Sequence, residues 1–404
     1  MKRVLSLGGM RVAALAAVLA QSIVMVRYLE LHEIGQYYLI ATVGYLGNAA
    51  VYVGADLNLQ RRLAKVVRRG PVSARGLAAY VGFTGWIGMV LVLAAASTFY
   101  LTQADSSVVR PLICVGLSLA MYLSAVTRNL LQLADKPQRA AITNVLESVG
   151  KLALIAVAIH LGGASANAAA LASLAGSLLA AGVGAWLLRP VVQGGTNASY
   201  SDDPRQLLHR IAPVGSSGLL NWAQLQGYRP LMISTAGAAE AVGLVAFLTT
   251  LGSTAANATF ATLGQMQIPT QYATRGGSSL SYLRLAAACT LGVALLALPA
   301  GLLFLWLTGR SNLSPFVYLT VVGVLVESGN AFIGIATNHA NALGHSLWHL
   351  PMCAMAGAAL TAAILIAPLS GHGLHVQIAA ALLSGQGLSA TLSLYFSFRQ
   401  RPSC

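Results

Sequence analysis

The sequence predicts an all-α polytopic membrane protein of about twelve transmembrane helices in two groups of six. Three observations predict it. Of 404 residues, 56% are hydrophobic and only 8% are charged, whereas a soluble domain carries about 25% charged residues. Apolar runs long enough to cross the hydrocarbon core as helices, roughly 20 residues each, recur along the whole chain. Finally, lysine and arginine fall on alternate loops, as membrane orientation requires.

The first span is predicted at 9–28. Lys2 and Arg3 followed by an apolar run resemble a signal peptide, but the run continues past Ala20 to Met25 and Val26, so an uncleaved helix is expected. Spans follow at 34–58, 77–101, 111–133, 140–160 and 168–188. The longest polar connection, from Arg189 to Arg210, contains Gly194, Gly195, Thr196 and Asn197, and Asp203-Pro204 reads as a helix cap followed by proline at the first helical position. This divides the chain into an N-terminal bundle (1–189), a cytoplasmic linker (190–210) and a C-terminal bundle (211–404). The second half is predicted to span at 211–235, 241–265, 282–308, 315–337, 348–368 and 376–397. A shift of 208 residues matches Gly35 with Gly243, Thr42 with Thr250, Gly44 with Gly252 and Ala50 with Ala258, a faint parallel repeat.

With both termini inside, 18 of the 24 lysines and arginines fall on the cytoplasmic side and two, Arg110 and Arg310, outside. That distribution predicts an N-in, C-in protein of a bacterial inner membrane. It also accounts for the net charge of +14 without nucleic acid. Arg27, Arg128, Lys151 and Arg229 remain within or at the edge of spans. Such groups are costly in lipid and face a bundle interior or a watery cavity.

Three spans carry polar faces. On the fifth, Asn144, Glu147, Ser148 and Lys151 share one helical face, and Glu147 and Lys151 can pair. On the seventh, Asn221, Gln224 and Tyr228 align beside Arg229, and Pro213, Gly215, Gly218, Gly227 and Pro230 make that helix easy to break. On the tenth, Glu327, Asn330, Gly334, Asn338 and Asn341 form a stripe along an apolar helix. Glu327 is the foremost candidate for a coupling carboxylate, and Glu147 the second. Arg229 in the outer half, Lys151 near mid-depth, Arg128 in the inner half and Arg27 at the outer end of the first span are expected to hold an anionic head group, since guanidinium grips phosphate bidentately. Local ion pairing is the competing reading at each.

The four cysteines, Cys114, Cys289, Cys353 and Cys404, show no disulfide or zinc spacing. His345 and His349, with His339 nearby, lack the further ligand a metal site needs. Neither metal nor cofactor is expected. With no soluble catalytic domain, the chain is not expected to be an enzyme.

The stretch from Tyr28 to Ala64, containing "EIGQYYLIATVGYLGNAAVYVGADLNLQRRLA", resembles the start of the Wzx-type O-antigen and polysaccharide transporters at Gly35, Tyr37, Asp56, Leu57, Leu59 and Arg62. Asn58 stands where that family often has glycine. The segments 128–155 and 243–269 resemble its fourth-to-fifth helix hairpin and its eighth helix. The resemblance covers about a third of the chain. It implies the multidrug/oligosaccharidyl-lipid/polysaccharide superfamily fold, two six-helix bundles in a V around a central cavity. It further implies a flippase that turns undecaprenyl-pyrophosphate-linked oligosaccharide from the inner to the outer leaflet. The implied partners are that lipid-linked glycan, membrane lipids, and a polysaccharide polymerase with its chain-length regulator. Competing classes are a small-molecule exporter of the multidrug or major-facilitator kind and a membrane glycan polymerase. Against the facilitators, Gln60 precedes Arg61-Arg62 where their loop signature has glycine. Against the polymerase, the outside loops are short, and Glu30, His32 and Glu33 are their richest cluster.

Overall fold

The computed structural model describes residues 2–66, 72–101, 108–134, 136–193, 204–233, 239–367 and 373–399. The expected cap at Asp203, the stretch 194–197, Arg68, Arg69, Arg401 and Cys404 lie outside these residues. The chain is helical almost throughout: α1 (Lys2–Tyr28), α2 (Leu31–Gly47), α3 (Val53–Val66), α4 (Ala74–Leu101), α5 (Val109–Leu133), α6 (Pro137–Gly162) and α7 (Ala166–Leu188) precede α8 (Pro204–Gln226) and α9 (Tyr228–Ile233). Then come α10 (Ala239–Ala273), α11 (Ser279–Leu307), α12 (Tyr318–Ala342), α13 (His349–Ile366) and α14 (Leu374–Arg399). A π-turn at Asn48–Tyr52 joins α2 to α3 without a break. Two short strands, β1 (Val72–Ser73) and β2 (Val192–Gln193), pair in parallel, Val72 opposite Val192.

Eleven helices among the described residues are long and apolar enough to cross a membrane. The seventh expected span, 211–235, is instead the pair α8 and α9, broken at Gly227. The Gly227 amide donates to the carbonyls of Trp222 and Ala223, both at 3.1 Å, and a Cβ there would collide with the Ala223 carbonyl oxygen. Only glycine closes this turn. The first half of α8 also carries Arg205, His209 and Arg210, too polar for a span. Helix α10 runs 35 residues, about 52 Å at 1.5 Å per residue, so it outreaches the roughly 30 Å hydrocarbon core.

The chain folds as two compact units, Met1–Gly215 and Ser216–Cys404, with the boundary inside α8. In unit 1, α5 packs on α2, α4 and α7, and α6 packs on α1 and α7. Tyr52 of the π-turn stacks on Tyr122 of α5 at 4.1 Å, and the Tyr52 hydroxyl donates to the Gly85 carbonyl at 3.2 Å. The N-terminus of α7 leaves amides without helical partners. Glu33 supplies one, its Oε2 accepting from the Ala166 amide at 2.6 Å, and Ser165 accepts from that of Ala168 at 3.3 Å. One member of the Glu30, His32 and Glu33 cluster is thus a helix cap.

In unit 2, α12 packs on α10, α11 and α14, and α13 on α14. The α10–α12 crossing is reciprocal: a Cβ at Gly252 would collide with the Thr320 carbonyl oxygen, and one at Gly323 with that of Thr249. Small residues let backbones touch where lipid gives no hydrophobic drive. Gly44 on α2 meets the Cys114 carbonyl of α5 in the corresponding way, with its Cβ position at 3.2 Å. The faint 208-residue repeat therefore coincides with a shared helix crossing. Gly252→Leu is expected to force α10 and α12 apart and abolish monodisperse protein in size-exclusion chromatography; an unchanged elution profile would show that the crossing tolerates separation.

The remaining helix faces are apolar and open. Helix α11 exposes Leu291, Leu295, Leu296, Leu303 and Trp306, and only 17% of its most apolar window is buried. A helix this apolar and this exposed is solvated by lipid.

Candidate functional site

The polar stripe of α12 meets α8, α10 and α14 in one hydrogen-bonded network within unit 2. Glu327 Oε1 accepts from Asn257 Nδ2 of α10 at 3.0 Å, and Oε2 from Asn330 Nδ2 at 3.1 Å. Asn330 Oδ1 in turn accepts from Gln386 Nε2 at 2.9 Å and from Asn221 Nδ2 at 3.2 Å. Gln224 Nε2 donates to Gln386 Oε1 at 2.8 Å, and Ser389 Oγ donates to Gln224 Oε1 at 3.0 Å. Every amide in this chain points its N–H end toward the carboxylate. An ionised carboxylate only accepts, so the orientation of each amide follows from the one before it. No cation among the described residues pairs with Glu327. The buried Asn221 Oδ1 has no hydrogen-bond partner. Farther along α12, Asn341 Nδ2 donates to the Tyr272 hydroxyl at 2.8 Å, and that hydroxyl donates to Asn338 Oδ1 at 3.3 Å.

Unit 1 holds a charged cluster built oppositely. Glu147 accepts at both oxygens from cations: Lys151 Nζ at 2.7 Å on Oε1 and Arg128 Nη1 at 2.9 Å on Oε2. Ser177 Oγ at 3.1 Å and Ser124 Oγ at 2.7 Å complete its shell. Arg128 Nη1 also donates to Asn144 Oδ1 at 2.8 Å. Gly176 of α7 permits this by close approach, since a Cβ there would lie 2.8 Å from the Lys151 backbone nitrogen. The three charges sum to +1. Lys151 and Arg128 keep 20% and 26% of their side chains exposed, so neither is wholly committed.

The structure thus brings Asn221, Gln224, Asn330 and Glu327 together in unit 2, and Arg128, Asn144, Glu147 and Lys151 together in unit 1. Tyr228 is buried at the start of α9, and Arg229 stands over its ring, the guanidinium carbon 5.7 Å from the ring centroid. Arg27 is exposed in the last turn of α1. Sequence reasoning missed Gln386, Ser389, Asn257, Ser124 and Ser177. A glutamine and a serine three apart on an apolar helix were the available signal for Gln386 and Ser389. His339 bonds Ser279 Oγ at 2.9 Å and stacks on Phe398, while His349 bonds Ser397 Oγ at 2.9 Å. Among the described residues no three His, Cys, Asp or Glu side chains are grouped to hold a metal.

The fold is that of a class of polytopic transporters. The chain is similar over 97% of its length, with 94% of the other chain covered and a TM-score of 0.67, to the outward-facing conformation of a multidrug resistance MATE family transporter of the MOP superfamily, at 15% identity. The inward-facing conformation of a multidrug resistance MATE family transporter gives 0.64 over 95% and 94% of the two chains at 15% identity. The MATE multidrug transporter DinF-BH gives 0.65 over 98% and 96% at 13% identity. At these identities the likeness is one of fold. No protein-family model and no curated protein matches the sequence.

Proposed function

We propose that the chain is a proton-coupled exporter of small organic cations, with Glu327 as its coupling carboxylate. The observation that carries this reading is the Glu327 environment: an acid inside an apolar span, bonded to two amides and, among the described residues, to no cation. Such a charge is costly in the membrane until a proton or a cation joins it, and exchange between the two is a coupling device. Asn330 and Asn257 hold the carboxylate, while Asn221, Gln224 and Gln386 orient Asn330. The fold likeness to multidrug resistance transporters supports the same reading. In cells lacking their own efflux pumps, the chain is expected to lower ethidium accumulation, and an uncoupler to restore it. Equal accumulation with and without the chain would overturn the reading.

A second reading, the lipid-linked glycan flippase, is favoured by one observation: the Arg128–Glu147–Lys151 group keeps a net positive charge with both cations partly exposed. That charge suits a pyrophosphate, and the Wzx-type resemblance at Gly35, Tyr37 and Asp56 points the same way. The readings separate cleanly in a deletion strain. The flippase predicts lipid-linked repeat units accumulating in the cytoplasmic leaflet; the exporter predicts none.

On either reading we place the chain in a bacterial inner membrane with both termini in the cytoplasm, a proposal that the 18-to-2 charge asymmetry supports. A cysteine introduced at Gly70 is expected to react with membrane-permeant maleimide and not with an impermeant one applied outside. Labelling by the impermeant reagent would invert the orientation.

A further inference from the structure

Unit 1 contains a second carboxylate whose surroundings match those of Glu327 rather than those of Glu147. Asp56, on α3, accepts at Oδ2 from Gln60 Nε2 at 2.7 Å and from Asn129 Nδ2 of α5 at 2.5 Å. No cation among the described residues bonds to it. Among the described residues the charged group in electrostatic reach is Arg128, whose Nη1 is already bonded to Glu147 and Asn144. Among the described residues the other titratable group in reach is the hydroxyl of Tyr122 on α5, which in turn lies near that of Tyr80 on α4. Tyr80 donates to the Ala55 carbonyl at 2.8 Å and accepts from Asn58 Nδ2 at 3.1 Å.

The π-turn gives this arrangement its register. A π-turn inserts one residue into an α-helix, turning everything after it by about 100°. Without the turn at Asn48–Tyr52, Asp56 would not face Asn129. Such turns recur at functional sites, and this one is held from both sides, by the Tyr52–Tyr122 stack and by the Tyr52 bond to Gly85.

Neutralising the two acids of unit 1 has different consequences. A proton on Glu147 would strand two cations. A proton on Asp56 strands none, because both amides keep bonding to the oxygen that remains an acceptor.

We propose that Asp56 is the proton-exchange site of unit 1, taking up one proton at Oδ1, the oxygen that carries no hydrogen bond among the described residues. In uptake a hydronium ion forms the new O–H bond and leaves as water; discharge is the reverse. The charge on Asp56, Glu147, Arg128 and Lys151 together rises from zero to +1. The ligand is a proton and not an alkali cation, because the groups aimed at the carboxylate are N–H donors. A hard cation needs a cage of oxygens instead. Together with Glu327, this gives the protein one exchangeable proton in each unit, a consequence that rests on the coupled-transport reading. The site itself does not.

Dicyclohexylcarbodiimide, an apolar reagent that attacks protonated carboxyls, tests the proposal on the wild-type chain in lipid vesicles, with the adducts mapped by mass spectrometry. The expected result is labelling of Asp56 and Glu327 that grows as pH falls, and none of Glu147. Labelling of Glu327 with Asp56 unmodified, or of neither acid, would overturn the site. Labelling of Asp56 alone would uphold it while removing the support for Glu327 as the coupling group.

Discussion

Glu327→Gln is expected to abolish gradient-driven transport and weaken binding of the cationic cargo while leaving the fold largely intact. Glutamine is isosteric, so α12 keeps its packing and its carbonyl oxygen still accepts from one of Asn257 and Asn330. The other amide then faces an N–H group and loses its acceptor, which costs about 1 kcal/mol. What disappears is the exchangeable charge. In proteoliposomes with an imposed pH gradient, cargo flux should fall to the level of empty vesicles, while flux driven by the cargo's own gradient persists. Retained dependence on the pH gradient would remove Glu327 from the coupling step.

The largest effect on stability is expected at Glu147. Glu147→Gln leaves Arg128 and Lys151 in a membrane interior without their shared counter-ion. Removing one partner of a buried ion pair typically costs 3–5 kcal/mol, and the partial exposure of both cations puts the expected loss near the lower end, about 3 kcal/mol. Thermal unfolding in detergent should show a marked drop in midpoint. Lys151→Met together with Glu147→Gln should recover part of it, since the double variant leaves one unpaired cation instead of two. A single variant as stable as wild type would mean that water or lipid head groups already serve these cations.

The helical plan was legible because it depends on local quantities: run length, apolarity and the placement of arginine and lysine. The α12 stripe was legible for the same reason. Glu327, Asn330, Asn338 and Asn341 recur at three- and four-residue spacing, which no lipid-facing helix sustains. The Glu147–Lys151 pair was readable as neighbours on one face. Arg128 joining them was not, because that contact is set by how α5 crosses α6. Gln386 and Asn257 escaped notice because each is an isolated amide whose partner lies 56 or 70 residues away in sequence. The break at Gly227 was half legible. Glycines and prolines marked the helix as weak, but 211–235 was still read as one continuous span across Gly227. Asp56 was noticed as part of a family resemblance and not as a site, since its register depends on a π-turn that leaves no composition signal.

Exchange of protons for organic cations is open to a direct measurement of counter-transport in reconstituted vesicles. Wild-type protein is placed in proteoliposomes preloaded with ethidium, and a pH gradient is imposed with the membrane potential clamped. Ethidium efflux is expected to accelerate when protons are more concentrated outside, with proton entry recorded by an internal pH dye in step with it. Efflux at one rate with and without the gradient, or with no accompanying proton movement, would contradict it.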